Sequence, residues 1–399
     1  LRASAGSLSG LSMADGLTTG GLERLHAAAE KHVGAQRAPG LVALVAQGDH
    51  VHVEALGSLT IGGAPVARDS IFRIASTTKP ITAAATLALI GEGLIGLDEP
   101  VDRLVPELSS RRVLRRMDGP LDDTVPATRA ITVRDLMTFT FGFGMAMEMF
   151  TSPHAWPVVE AAEALRLSTI GPPNPDVQPD PDTWIANLGS LPLIAQPGER
   201  WLYNTGASVL GVLLARAAGE SFGEILRTRV FDRLDMSDTA FFTTATERLA
   251  TAYRPTSDGL VVWDEPVGTW SHPRAFEDGG AGLVSTADDL LAFARMLLRG
   301  GAPVLSADAV HAMTTDQLTD AQKAHGGLGP NFFVGRSWSF CQSVLASGAY
   351  GWDGGFGSSW LVDPKHDLVV IVLTQRMFET AEAPKVHRDI QAAAYEALA

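Results

Sequence analysis

"RIASTTKPITAAATLALIGEG", residues 73–93, sets a hydroxyl and an amine three positions apart, Ser76 and Lys79, at the head of an apolar run. No further charge appears until Glu92. Alanine and leucine dominate, so the pattern predicts a helix from about Ser76 to Glu92, buried on nearly every side. A lysine opening such a helix has to reach solvent, meet a partner or serve chemistry. Helix positions three apart share a face, which puts Ser76 beside Lys79. A serine hydroxyl is a weak nucleophile until a base takes its proton. Burial lowers a lysine's pKa toward that task. The plainer alternative is a capping Ser76 or Thr77, with Lys79 snorkelling outward.

Upstream, residues 21–38 carry Leu22, Leu25, Ala29 and Val33 on one stripe, an amphipathic helix pattern. "GLVALVAQG" and "HVHVEALGSL" read as two antiparallel strands turning at "GDH". "DSIFRIA" is a short extended lead into Ser76. Downstream, "TVRDLMTFTFGFG" reads as a helix stopped by glycines, and "GPPNPDVQPDPDTWI" (171–185) is too rich in proline for a regular helix or central strand. "LYNTGASVLGVLLARAAGES" is an apolar helix closed by Gly219, and "STADDLLAFARMLLRG" a helix capped by Ser285 or Thr286 and ended by Gly300. The tail holds two strands in "GSSWLVDPKHDLVVIVLTQR" and a last helix in "APKVHRDIQAAAYEALA". The economical layout is an α/β (α+β) protein whose sheet is built from both ends of the chain around an inserted, mostly helical lobe. The expected division is an extension at 1–20, a sheet domain from 21–94 and 275–399, and a helical domain with lid-like loops at 95–274.

Composition narrows the partners. The chain has 399 residues, 46% hydrophobic, and a formal net charge of -14 from 45 acidic and 31 basic side chains. That surface repels nucleic acid and suits an anionic membrane no better. The apolar runs "ITAAATLALI" and "LVVIVL" are too short to span a bilayer, so no membrane insertion is expected. "LRASAGSLSG" lacks the apolar centre of a signal peptide. The expected location is cytoplasmic or soluble secreted, and the oligomeric state stays open. Cys341 is the single cysteine and reads as packing. The ten histidines form no H-E-x-x-H or other ligand cluster, and G-x-G-x-x-G, P-loop and G-x-S-x-G motifs are missing. Neither a metal nor a cofactor is expected.

Two more stretches decide between the readings of Ser76. "PGERWLYNTGASVLGVLLARAAGE" sets Tyr203 just before a buried helix, and "ASGAYGWDGGFGSSWLVDPKHDLVVIVLTQR" sets a glycine-rich turn before the last strands. With "RIASTTKPITAAA", "ITVRDLMTFTFGFG" and "GGAGLVSTADDLLAFARML", these resemble the serine β-lactamase and penicillin-binding-protein superfamily. The likeness runs from about residue 20 to 397. It is nearest to the class C-like branch, and within it to carboxylesterases with a β-lactamase fold. The resemblance implies a β-lactamase/transpeptidase-like fold, with an antiparallel sheet flanked by helices. It also implies Ser76 as acylated nucleophile, with Lys79 and Tyr203 as the general base/acid pair.

The sequence departs from the lactamase pattern twice. Where that pattern has asparagine two residues after the tyrosine, this chain has Thr205, which lacks the carbonyl–amide pair offered to a substrate amide. Where it has Lys or His before a glycine on the strand edging the site, "GWDGGFG" offers only Trp352 or Asp353. Trp352 is the preferred site residue, and Asp353 stays open. The strand donor to an oxyanion, completing the Ser76 N–H, is expected near Gly354, Gly355 or Phe356. Phe139, Phe141, Met145, Met149, Phe150, Trp156 and Thr205 are expected to form the substrate pocket. The expected reaction is hydrolysis of small or medium carboxylic esters through an acyl-enzyme. The alternatives are a β-lactamase, D-aminopeptidase or other amide hydrolase or transacylase of the same superfamily, and a non-catalytic binding module of this fold.

Overall fold

The computed structural model describes residues 16–169 and 171–399. Most of the expected extension at 1–20 therefore lies outside the described residues. Helix α1 covers Thr19–Glu30. Strands β1 (Gly40–Gln47) and β2 (His50–Gly57) follow, then helices α2 (Thr78–Gly91), α3 (Thr205–Ala218) and α4 (Ala287–Leu298) among shorter pieces. Strands β3 (Arg336–Trp338), β4 (Ser343–Leu345), β5 (Tyr350–Gly354), β6 (Ser358–Asp363) and β7 (Leu368–Thr374) precede helix α5 (Lys385–Glu396). The seven strands make one sheet in the order β2-β1-β7-β6-β5-β4-β3, every neighbour antiparallel. The sheet is thus built from both ends of the chain, as expected.

Side-chain alternation sorts the core. Leu41, Ala43 and Val45 of β1, with Val370 and Val372 of β7, pack against Leu25 and Ala29 of α1 and Ile390 and Ala394 of α5. Val42, Leu44 and Ala46, with Val369, Ile371 and Leu373, face the other way into the cluster that holds Phe293 of α4 and Ile81 of α2. Both faces of β1 and β7 are covered, which explains why these strands read as unbroken apolar runs.

Three boundaries differ from expectation. α1 ends at Glu30 rather than Ala38, because Val33 leaves the helix to bridge Ala38. The helix in "TVRDLM" spans only Val133–Met137, started by a Thr132–Asp135 capping box and followed by a left-handed residue, Phe139 at φ 61°. The proline-dense segment is irregular up to Asp180, then forms the helix Pro181–Ser190. Pro181 is its first residue, where a missing N–H costs nothing, and the Asp180 side chain accepts from Thr183 N–H.

Leu44 is fully buried in the middle of β1, between β2 and β7. Leu44→Ala is expected to lower unfolding stability by about 2–5 kcal/mol in urea melts. A loss under about 1 kcal/mol would show that this face of β1 is not core.

Candidate active site

The strand Phe72–Arg73 delivers the chain to a turn at Ala75, whose φ of 41° is unfavourable for a residue with a Cβ. Arg73 anchors that strand by donating from Nε to Asp264 Oδ2 at 3.0 Å. A 3-10 turn, Ala75–Thr77, then opens α2. From Ser70 to Leu87 every residue is buried except Ser76, which is half-buried. The turn brings one hydroxyl to the surface of an otherwise closed segment.

Lys79 is fully buried, and its Nζ lies 2.9 Å from Ser76 Oγ. It donates to the carbonyl of Gly280 at 2.6 Å. No carboxylate pairs with it among the described residues. Burial pushes its pKa down to about 7, opposed by the field of Asp278. Asp278 is held back by Ser208 Oγ at 2.6 Å and by Gly280 N–H at 2.7 Å, so it shapes the loop that gives Lys79 its carbonyl.

Tyr203 stands at the start of α3. Its backbone exchanges two hydrogen bonds with Met145, at 2.8 and 2.9 Å. Asn204 follows at φ 86°, and Thr205 N–H closes back on Tyr203 C=O at 3.3 Å, a strained three-residue turn. Lys79 Nζ sits 4.7 Å from the centre of the Tyr203 ring. Trp352 donates its indole N–H to Tyr203 Oη at 2.7 Å. Burial pushes the phenol above its ordinary range, against the pull of hydrogen bonds with Ser76 and Trp352. Phe139, Trp201, Trp338 and Trp352 ring the tyrosine at centroid distances of 5.6 to 6.2 Å. Positive φ at Ala75, Phe139, Asn204 and Cys341 marks four strained residues around one centre.

The sheet edge completes the geometry. A Cβ on Gly354 would collide with the Ile74 carbonyl, so only glycine lets β5 lie this close to the serine turn. Gly354 C=O accepts from Gly357 N–H at 2.8 Å inside the turn. Across a trans peptide, that aims the Gly355 N–H outward. It has no backbone partner, and nothing lies within 4 Å of the place a Gly355 Cβ would take. Ser76 N–H lies in the first turn of its helix, where a backbone N–H has no intrahelical acceptor.

The expected residues divide cleanly. Ser76, Lys79, Tyr203, Trp352, Gly354 and Gly355 come together. Asp353 does not: one step along the strand from Trp352, it points through the sheet to His387 and Ser359. Phe356 is core, edge-on to Trp270 at 5.4 Å. Phe139, Phe141, Trp156 and Thr205 are also buried, and Thr205 Oγ1 has no hydrogen-bond partner. Phe139 backs the tyrosine instead of lining a pocket. Of the expected wall, Met145 and Met149 are half-buried and Phe150 is exposed. Sequence reasoning missed Gly280, Trp201, Trp338 and Phe332, the last lying 6.3 Å from Trp352. The glycine pair after Asp278 was the one available signal for the Lys79 carbonyl. Cys341 is packing, as expected, and burial pushes its thiol up.

The Beta-lactamase family model matches residues 25–395. The chain belongs to the Beta-lactamase family. Protein Rv1367c of Mycobacterium tuberculosis is 38% identical over 332 residues, covering 78% of this chain and 79% of that protein. Esterase EstB of Burkholderia gladioli is 29% identical over 383 residues, covering 90% and 92%. Among solved structures, EstCE1, a hydrolase with promiscuous acyltransferase activity, superposes with a TM-score of 0.79 at 24% identity, over 94% of this chain and 98% of that one. This Beta-lactamase family member therefore has the sheet, the flanking helices and the inserted helical lobe of its family. No helix among the described residues is long and apolar enough to cross a membrane.

An unfolded lysine holds its proton to about pH 10.4, whereas Lys79 in the fold lets go near 7. Between those values the folded protein binds fewer protons, so this site's stability contribution rises with pH and is lowest below 7. Lys79→Met should therefore stabilise the protein more at pH 6.5 than at pH 9, by about 2–3 kcal/mol in paired urea melts. An equal effect at both pH values would mean that Lys79 is not desolvated.

Proposed function

We propose that this protein is a carboxylesterase-type serine hydrolase that cleaves small or medium carboxylic esters through an acyl-enzyme on Ser76. The observation that carries the reading is the fully buried Lys79 amine 2.9 Å from Ser76 Oγ, with no carboxylate paired to it among the described residues. With a pKa pushed down to about 7, the amine is free base for about half of the molecules at neutral pH. In that form one N–H still donates to Gly280 C=O at 2.6 Å, and the amine can accept the Ser76 hydrogen across the 2.9 Å contact.

Lys79 takes the Ser76 proton as Oγ attacks the ester carbonyl. The carbonyl oxygen gains negative charge between the N–H groups of Ser76 and Gly355. Trp352 can only donate through its indole, so the Tyr203 hydrogen is left to point into the site. Burial keeps that phenol protonated, which fits it to donate to the departing alkoxide. The Lys79 ammonium then returns its proton to the Tyr203 oxygen. Water repeats the sequence in reverse, and Ser76 is released with the carboxylic acid. In this reading residues 21–94 and 275–399 form the sheet lobe, residues 95–274 form the helical lobe, and the reacting groups come from both.

Esters are favoured over β-lactams and peptides by what edges the site. Trp352 offers neither charge nor carboxylate recognition where a Lys or His would. Thr205 is buried and carries a single hydroxyl in place of the carbonyl–amide pair that asparagine would offer a substrate amide. The names of the relatives support the same choice, EstB being an esterase and EstCE1 a hydrolase that also transfers acyl groups.

Turnover of p-nitrophenyl acetate and butyrate should exceed that of nitrocefin by orders of magnitude, and a reverse ratio would defeat the ester assignment. A fluorophosphonate should add its mass to the wild type and not to Ser76→Ala. Tyr203→Phe should lower kcat about 100-fold or more with the fold intact by circular dichroism. The kcat/KM for a neutral ester should climb through a pKa near 7 and level off above it, since only the free amine accepts the serine proton. A flat profile from pH 5.5 to 8.5 would remove Lys79 as the base.

A further inference from the structure

Behind the turn that carries the Gly355 N–H lies a group of polar side chains that ester cleavage does not use. His387, in the first turn of α5, is fully buried. Its Nε2 is 3.2 Å from the carbonyl oxygen of Gly357. Its Nδ1 is 3.4 Å from Asp353 Oδ1, a looser contact than an aligned hydrogen bond. One imidazole therefore grips both ends of the five-residue stretch Asp353–Gly357. A carbonyl oxygen and a carboxylate oxygen both only accept, so the two contacts ask for an N–H at each ring nitrogen. One helical turn further on, Gln391 donates to Ser359 Oγ at 3.0 Å and ties α5 to β6, the strand paired with β5. Phe378 N–H holds the Gly355 carbonyl at 2.8 Å, and the Phe378 ring packs on His387 at 5.6 Å.

Strand alternation links this group to the chemistry. Asp353 points to α5, and its neighbour Trp352 points the other way, to Tyr203 Oη. Gly354, next along, presses on the carbonyl of Ile74, two residues before Ser76. Any rotation at Asp353–Gly357 moves the indole, the glycine contact and the Gly355 N–H together. The turn holds three glycines, Gly354, Gly355 and Gly357, and backbone hydrogen bonds fix its path: Gly357 N–H to Gly354 C=O at 2.8 Å, Thr374 N–H to Gly357 C=O at 3.0 Å and Phe378 N–H to Gly355 C=O at 2.8 Å. His387 adds a side-chain contact at each end of this turn, on the face away from the serine.

We propose that His387 and Asp353 form a positioning clasp that sets the direction of the Gly355 N–H and of the Trp352 indole from the far side of the sheet. The clasp rests on the esterase reading above. It touches neither substrate nor reacting atoms. It acts on the transition state, because the oxyanion contact strengthens as charge develops on the carbonyl oxygen. Ground-state binding, set at the open face of the site, is left nearly unchanged.

The test compares the wild type with His387→Ala, His387→Gln and Asp353→Ala on p-nitrophenyl butyrate. Each enzyme is first titrated with a fluorophosphonate, so that rates refer to competent molecules. His387→Ala and Asp353→Ala should lose about 10-fold or more in kcat per titrated site, with KM within about twofold. His387→Gln keeps an N–H donor for Gly357 C=O and should recover most of the loss. A purely structural role predicts fewer titratable molecules but an unchanged kcat in each, and that result would overturn the proposal. So would a KM rise with kcat intact, or no difference between the alanine and glutamine variants. A wild type that is active while His387→Ala matches it defeats the clasp alone. A wild type that never takes up the fluorophosphonate defeats the esterase reading and the clasp with it.

Discussion

An amine shut away from water without a carboxylate to pair with is costly to build, and the rest of this site follows from that cost. Lys79 sits at the head of a helix that is apolar along its length, against the Gly280 carbonyl and the face of Tyr203. Neither neighbour carries a full charge, so neither restores what hydration gave. The amine answers by releasing its proton near neutral pH. Asp278 is near enough to be felt, but its Oδ1 is taken by Ser208 Oγ and Gly280 N–H and makes no ion pair with Lys79. A direct ion pair there would return Lys79 to an ordinary ammonium and leave Ser76 without a base.

The second requirement is close approach. β5 must lie against the serine turn, and it does so through Gly354, with Ser358 Oγ donating to the Ile74 carbonyl at 2.7 Å and meeting Thr77 Oγ1 at 2.9 Å. Those contacts lock the serine turn to the sheet across more than 280 residues of chain. The strain at Ala75 is affordable in this frame because both sides of the turn are fixed. Tyr203 is restrained by other means, an aromatic shell and a paired backbone, so each of the three groups proposed to react is held by a different part of the fold.

Much of this was readable beforehand because the features are local. A single charge in an apolar run exposes itself, and Ser76 stands a fixed helical step from it. Tyr203 came through the family likeness, since nothing in the residues near it announces a catalytic phenol, whereas the sheet built from both ends follows from the helix and strand patterns at either end of the chain. The choice between Trp352 and Asp353 could not be made from the glycines. It is settled by which face each takes, and face follows from a register that only the paired strands define. The pocket was overread for a related reason. Phe139, Phe141 and Trp156 have the composition of a binding wall, but an apolar side chain looks the same in a sequence whether it lines a cleft or fills a core. Trp338 and Phe332 arrive from far along the chain, with no spacing that ties them to Tyr203.

The order of strands has a consequence for the birth of the protein. β1 pairs with β2 at once, but its other neighbour is β7, so Ala46 waits for Val369 and Leu41 for Thr374. Until the last strand has been synthesised, one long edge of β1 keeps its backbone groups open, and α1 has no α5 to share a core with. The serine turn likewise meets Gly354 only once the long stretch of chain between them has been made. Folding therefore has to close one very long loop before the sheet is whole.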